Sequence, residues 1–109
     1  MTRGDIYLVK KPGASDPKKQ RAFVVVSRQV LIESKYASVV CAPIYTSRMG
    51  LASQVPVGPS QGLKHASAIH CDGLVSLPKS ALSAYVGSLD GPKTAELNQA
   101  LKVALEIED

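Results

Sequence analysis

The sequence predicts a mainly β fold with one helix: a small, strongly bent sheet or barrel of about six to seven short strands, followed by a C-terminal α-helix. Three observations carry this. Short runs of Val, Ile, Leu and Tyr recur up to about residue 90, each bounded by Pro, Gly, Ser or Asp, the pattern of strands and turns. A helical stripe comes last, with Leu97, Leu101 and Leu105 at spacing four and Ala100 and Ala104 beside them. The 109 residues fit one domain, and strands do not alternate with helices as a parallel sheet requires.

The elements follow in order. Ile6-Tyr7-Leu8-Val9 predicts a strand near 4–10, and the Arg-Gly-Asp at 3–5 is its beginning rather than an adhesion motif. Residues 10–19 hold two Pro, one Gly and four Lys, which makes an exposed loop, long for a hairpin. Phe23-Val24-Val25-Val26 predicts a strand buried on both faces. Gln29–Ser34 fits a turn or a short helix. Ser38–Ile44 predicts a buried strand ending near Pro43, and 53–57 a shorter edge strand. Gly58–Gly62 is turn chemistry. Ala66–Asp72 and Leu74–Leu77 alternate as strands do, Pro78–Leu82 suits one helical turn, and Tyr85–Leu89 predicts a last strand. Asp90 as N-cap with Pro92 just inside predicts a helix from about 91 to 106.

With 45% hydrophobic and 20% charged residues the chain is globular rather than disordered. It has no Trp and one Phe, so the core must be aliphatic. A net charge of +4 suits a polyanionic partner. Cys41 and Cys71 have no metal-ligand spacing, so no zinc site or other metal is expected, and no cofactor. The N-terminus has no apolar segment of a signal peptide, and no apolar run is long enough for a membrane span. A cytoplasmic protein with reduced thiols is expected.

Four segments, in order, resemble the MazF/PemK toxins of bacterial toxin–antitoxin pairs: Arg3–Val9, Arg21–Ser27, Val39–Ser47 and Ala68–Leu77. The terminal helix is similar too. Three departures stand out. Ala22 follows Arg21 where the family often has Pro, Tyr45 lengthens the turn after the third strand, and Gly73-Leu74-Val75 replaces the usual Gln-x-Arg. The resemblance implies an SH3-like barrel, a homodimer, an acidic antitoxin as partner, and metal-independent cleavage of single-stranded RNA through its 2′-hydroxyl.

Such cleavage needs a base for the 2′-hydroxyl, donors for the charged phosphorane and an acid for the leaving oxygen. The resemblance implies Arg21, Asp72, His70 and Thr46 as catalytic candidates. Arg21 carries a fork suited to phosphate; alternatively it pairs with a surface carboxylate. Asp72 is a base candidate or a simple Asp-Gly turn residue. His70, two positions earlier on the expected strand, shares its face, so that the two converge on one phosphate; alternatively it is a structural histidine. Thr46 and Ser47 bind phosphate or satisfy a turn backbone. Lys10, Lys11, Lys18, Lys19, Lys64 and His65 form a rim for RNA or a solvated surface. The cysteines read as core residues, and a Cys71–His70 pair is disfavoured because strand neighbours point apart.

Two other functions fit the same fold. A CcdB-like gyrase poison relies on an aromatic-containing C-terminal tripeptide, whereas this chain ends Ile107-Glu108-Asp109. A non-catalytic SH3-like module that binds RNA or antitoxin remains the other; a peptide groove would need aromatic walls that are scarce here.

Overall fold

The computed structural model describes residues 1–10 and 20–108. Seven strands form one antiparallel sheet: β1 (Asp5–Lys10), β2 (Gln20–Val25), β3 (Ser38–Tyr45), β4 (Gln54–Val57), β5 (Ser67–His70), β6 (Val75–Pro78) and β7 (Ala84–Ser88). Two helices complete it, α1 (Gln29–Ile32) and α2 (Gly91–Leu105). The strand order is β4-β5-β3-β2-β1-β7, and β6 also pairs with β3. The predicted strands and terminal helix are all present, and the ambiguous stretch after β2 is the short helix α1.

The curled sheet buries both of its faces. Ile6, Val24, Ala42, Ile44, Val55, Ile69 and Cys71 fill the inner face, and Leu97 and Ala100 of α2 close over them. Tyr7, Val9, Val25, Val39 and Cys41 form a second, smaller core on the outer face. There Ile32 of α1 and Leu82, just past the helical turn Lys79–Ala81, cover them. Alternate residues of one strand thus enter different cores, which explains the unbroken apolar run of β2. The curl is drawn together where the turn Pro59–Gln61 reaches β7. Gly62 has a positive φ of 91°, and its backbone and that of Gly87 leave no room for a side chain: a Cβ on Gly87 would collide with the Gln61 carbonyl oxygen.

Three expectations need correction. β3 ends at Tyr45, one residue past the expected Ile44, and so runs through Pro43 rather than closing there. Pro43 is tolerated because it falls between the residues paired with β6 (Ser38–Cys41) and those paired with β5 (Ile44, Tyr45); a missing N–H costs little in that gap. The strand expected over Ala66–Asp72 stops at His70, and Cys71–Gly73 is a 3₁₀ turn packed beneath α2. The helical stripe reaches the core only in part: Leu97 and Ala100 are buried, Leu101 and Ala104 pack at its margin, and Leu105 is 56% exposed. The helix outruns the sheet there and stops at Glu106, whose φ is 55°.

Arg-Gly-Asp is structural, as its place at the start of β1 implies. The Asp5 carboxylate accepts from the Thr2 N–H at 2.8 Å and from the Ser88 hydroxyl at 2.8 Å, fastening β1 to β7. Asp90 caps α2 by accepting from the Lys93 N–H at 2.9 Å. Asp90→Ala should cost about 1 kcal/mol and lower Tm by about 4–8 °C, read by thermal unfolding under circular dichroism. An unchanged Tm would mean that Pro92 and the neighbouring turn set the helix start without the cap.

No helix among the described residues is long and apolar enough to cross a membrane.

Candidate functional site

The alternation of each strand decides which candidates meet. Arg21, the second residue of β2, lies on the outer face, in line with Phe23 and Val25. Ala22 pairs with Ile44 across β2 and β3, so Arg21 and Tyr45 stand one step beyond that pair. Tyr45 pairs with Ala68 of β5, and His70 lies two residues further on the same face. The result is a stacked row on the outer face at one rim of the sheet. The Arg21 guanidinium carbon lies 4.2 Å from the centroid of the Tyr45 ring, over it. His70 meets the same ring edge-on, at 4.7 Å between centroids and 80° between planes.

His70 is held at both ring nitrogens. Its Nε2 lies 2.9 Å from the Ser47 carbonyl oxygen, which can only accept, so Nε2 carries the proton and donates. Its Nδ1 then accepts, at a long 3.5 Å, from the Gln54 side-chain nitrogen. Gln54 is oriented for this because its carbonyl oxygen takes the Met49 N–H at 3.0 Å. One tautomer satisfies every link. His70 in this arrangement is a brace between the rim and the turn that carries Ser47.

Asp72 goes elsewhere. Because β5 ends at His70, the two-residue alternation does not carry to Asp72. Its carboxylate accepts from the Ser53 hydroxyl at 2.5 Å, on a turn whose Cys71 belongs to the inner core. The expected convergence of His70 and Asp72 on one strand face is therefore absent: each is tied to a different neighbour, Gln54 and Ser53, at the start of β4. Asp72 is itself exposed.

The other face of the rim is a cleft of about 590 Å³. Leu8, Ala22, Ile44 and Val86 give it apolar walls, and Gln20, Thr46, Lys64, His65, Ser67 and Tyr85 give it polar ones. Arg21 lies between two cleft residues, Gln20 and Ala22, and Tyr45 between Ile44 and Thr46. The rim therefore carries a stacked cation on one side and a hydroxyl beside a Lys and a His on the other. Lys10 is exposed at the end of β1. Lys11, Lys18 and Lys19 lie outside the described residues.

The cysteines are core thiols. Burial pushes Cys41 up to about 12 and Cys71 to about 11, the latter helped by the Asp72 charge. Neither supplies a thiolate near neutrality, and Cys71 faces inward while His70 faces out. Among the described residues no group of three His, Cys, Asp or Glu could hold a metal ion.

Sequence reasoning missed Tyr45, Gln54 and Ser53. For Tyr45 the available signal was its position as an extra residue before Thr46-Ser47, an aromatic next to expected phosphate donors.

Comparison with known proteins places this geometry among relatives. Residues 2–105 match the family model described as PemK-like, MazF-like toxin of type II toxin–antitoxin system. Endoribonuclease MazF3 of Mycobacterium tuberculosis is 30% identical over 90 residues, covering 83% of this chain and 86% of the relative. The solved Mycobacterium tuberculosis toxin MazF-mt6 superposes with a TM-score of 0.83 at 27% identity, over 96% of this chain and 99% of that one. An endoribonuclease in complex with its cognate antitoxin, from Mycobacterial species, shares the fold with a TM-score of 0.86 at 24% identity, over 100% and 98% of the two chains.

Proposed function

The chain belongs to the PemK-like, MazF-like toxins of type II toxin–antitoxin systems and is an endoribonuclease of that type, and from that premise we propose how its site works. Single-stranded RNA lies along the rim, with the scissile phosphate between Arg21 and Thr46. The 2′-oxygen loses its proton and bonds to phosphorus, the bond from phosphorus to the 5′-oxygen breaks, and that oxygen takes a proton. The products are a 2′,3′-cyclic phosphate and a 5′-hydroxyl.

Charge grows on the non-bridging oxygens as phosphorus becomes five-coordinate. The Arg21 fork meets two of them at once, and the Thr46 hydroxyl donates from the cleft side. Lys64, Ser47 and Lys10 hold flanking phosphates and set register rather than rate. For the protons, the supporting geometry favours His65, exposed in the cleft beside Lys64. His70 has both nitrogens engaged, and Asp72 is spoken for by Ser53. The observation that carries this reading is the Arg21 guanidinium held at a rim whose other side is a cleft lined by Thr46, Lys64 and His65.

The proposal extends to partners and place. Two chains share one RNA-binding face as a homodimer, an acidic antitoxin covers that face, and the protein acts in the cytoplasm. The net charge of +4 supports an acidic partner, and Tyr85 and Met49, 59% and 70% exposed, supply apolar anchors for contact.

The test is incubation of the purified protein with a long single-stranded RNA in EDTA, followed by mapping of the new ends. Discrete cuts with 5′-hydroxyl ends are expected, and they should be more sensitive to His65→Ala than to Asp72→Asn. The reverse order would return the base role to Asp72. Cutting that disappears in EDTA and returns with a divalent ion would overturn the mechanism.

A further inference from the structure

We propose that Tyr45 is the positioning residue of the Arg21 guanidinium, and that it does this work in place of a carboxylate. The inference rests on the reading of Arg21 as the phosphate-binding group.

A phosphate-binding Arg poses a problem before substrate arrives. Its long side chain must be held in one orientation, since a displacement of about 1 Å can cost on the order of 10²-fold in rate. A carboxylate partner fixes a guanidinium well, but it occupies the fork and cancels the charge on which phosphate depends. An aromatic face does neither. It fixes the plane of the guanidinium by stacking and cation–π attraction, and leaves the N–H donors at the plane's edge free to point outward.

Tyr45 has that geometry, with the guanidinium carbon over its ring at 4.2 Å. Among the described residues no carboxylate lies within ion-pair distance of Arg21; the ion pair Lys93–Glu96 belongs to the first turns of α2. The platform itself is anchored. The backbone of Tyr45 is the last paired position of β3, and its ring is braced edge-on by His70. His70 is fixed in turn by Gln54 and the Ser47 carbonyl. The row Arg21–Tyr45–His70–Gln54 thus runs from the reactive rim to the edge strand β4, and each member is set by the next.

Kinetics on an RNA oligonucleotide that the wild-type protein cuts would test this, with Tyr45→Phe, Tyr45→Leu and Tyr45→Glu compared. Phe keeps the ring and should keep kcat within about twofold. Leu should lower kcat roughly tenfold or more while KM moves by less than about threefold, and the ring-current shift of the Arg21 Nε–H proton should vanish from the NMR spectrum. Glu should be worse than Leu in both kcat and KM, because it would neutralise the fork. Equal activity of the Leu variant and wild type, or loss in Leu with the Arg21 proton shift intact, would overturn the proposal. A wild-type protein that cuts no RNA would instead sink the underlying reading of Arg21, so the two failures are separable.

Discussion

Arg21→Ala should lower RNA cleavage by about 10²- to 10³-fold, the loss seen when one pre-aimed donor to a developing charge is removed. The protein should remain folded. Arg21 is half-buried at the start of β2, its side chain rests on an exposed ring rather than in either core, and Ala22 and Phe23 continue the strand pairing without it. The loss should fall mainly on kcat, since the phosphorane needs the fork more than the ground-state phosphate does. Arg21→Lys should recover little, because an ammonium neither bridges two phosphate oxygens nor stacks flat on Tyr45. End-mapped cleavage rates, paired with far-ultraviolet circular dichroism, decide it. A folded Arg21→Ala protein with near-normal kcat removes Arg21 from the mechanism.

The second large effect concerns folding. Gly87→Ala should destabilise the protein by about 3 kcal/mol or more, at the upper end for overpacking. This is a large share of the roughly 5–15 kcal/mol by which a domain is stable. The obstacle is backbone, not a side chain that can swing away: the new Cβ would strike the Gln61 carbonyl oxygen, and Gly62 faces Val86 just as tightly from the other side. Relief requires lifting the turn Pro59–Gln61 off β7, which opens the curl and the cleft lined by Gly62, Leu63 and Lys64. Urea unfolding should show a lower midpoint, with Gly91→Ala as the comparison. Gly91 has nothing within 4 Å of where its Cβ would stand, so its substitution should leave the midpoint nearly unchanged. Equal midpoints for the two variants would mean that the turn does not rest on β7.

What the residues revealed in advance follows from the range of the interactions. The helix α2 was legible because its determinants are local: a four-residue stripe, an Asp cap and a Pro within the first turn. The strands were legible as β-branched runs, their number and the late helix pointed to a small bent sheet or barrel, and the SH3-like barrel followed from the family resemblance. Errors arose where a distant partner overrides a local rule. Pro43 reads as a strand end, and only the division of β3's edge between β5 and β6 makes it harmless. Ala66–Asp72 alternates smoothly, because Cys71 enters the inner core from a 3₁₀ turn at the very position where a strand would have sent it.

The candidate site shows the same division. Arg21, Thr46, Lys64 and His65 were all singled out from the sequence, and the structure brings them to the two sides of one rim. His70 and Asp72 were expected on a shared face, and the end of β5 separates their side chains. Tyr45 showed in the sequence only as an extra aromatic residue before Thr46-Ser47; its stacking on Arg21 depends on the register that sets β2 and β5 on either side of β3. That register is a long-range property, and one sequence does not display it.

The order in which the sheet is strung bears on when a chain becomes dangerous to the cell making it. The rim needs β2, β3, β4 and β5, yet β1 has its second neighbour only when β7 exists, and the inner core stays open until Leu97 and Ala100 arrive. On a ribosome these pieces emerge in sequence, and non-local pairings of this kind form slowly and late. A half-made chain already contains Arg21, Tyr45 and Thr46 but has no closed barrel to align them. The rim residues thus come from β2 to β5, whereas the inner core behind them is closed by residues far later in the chain, on α2.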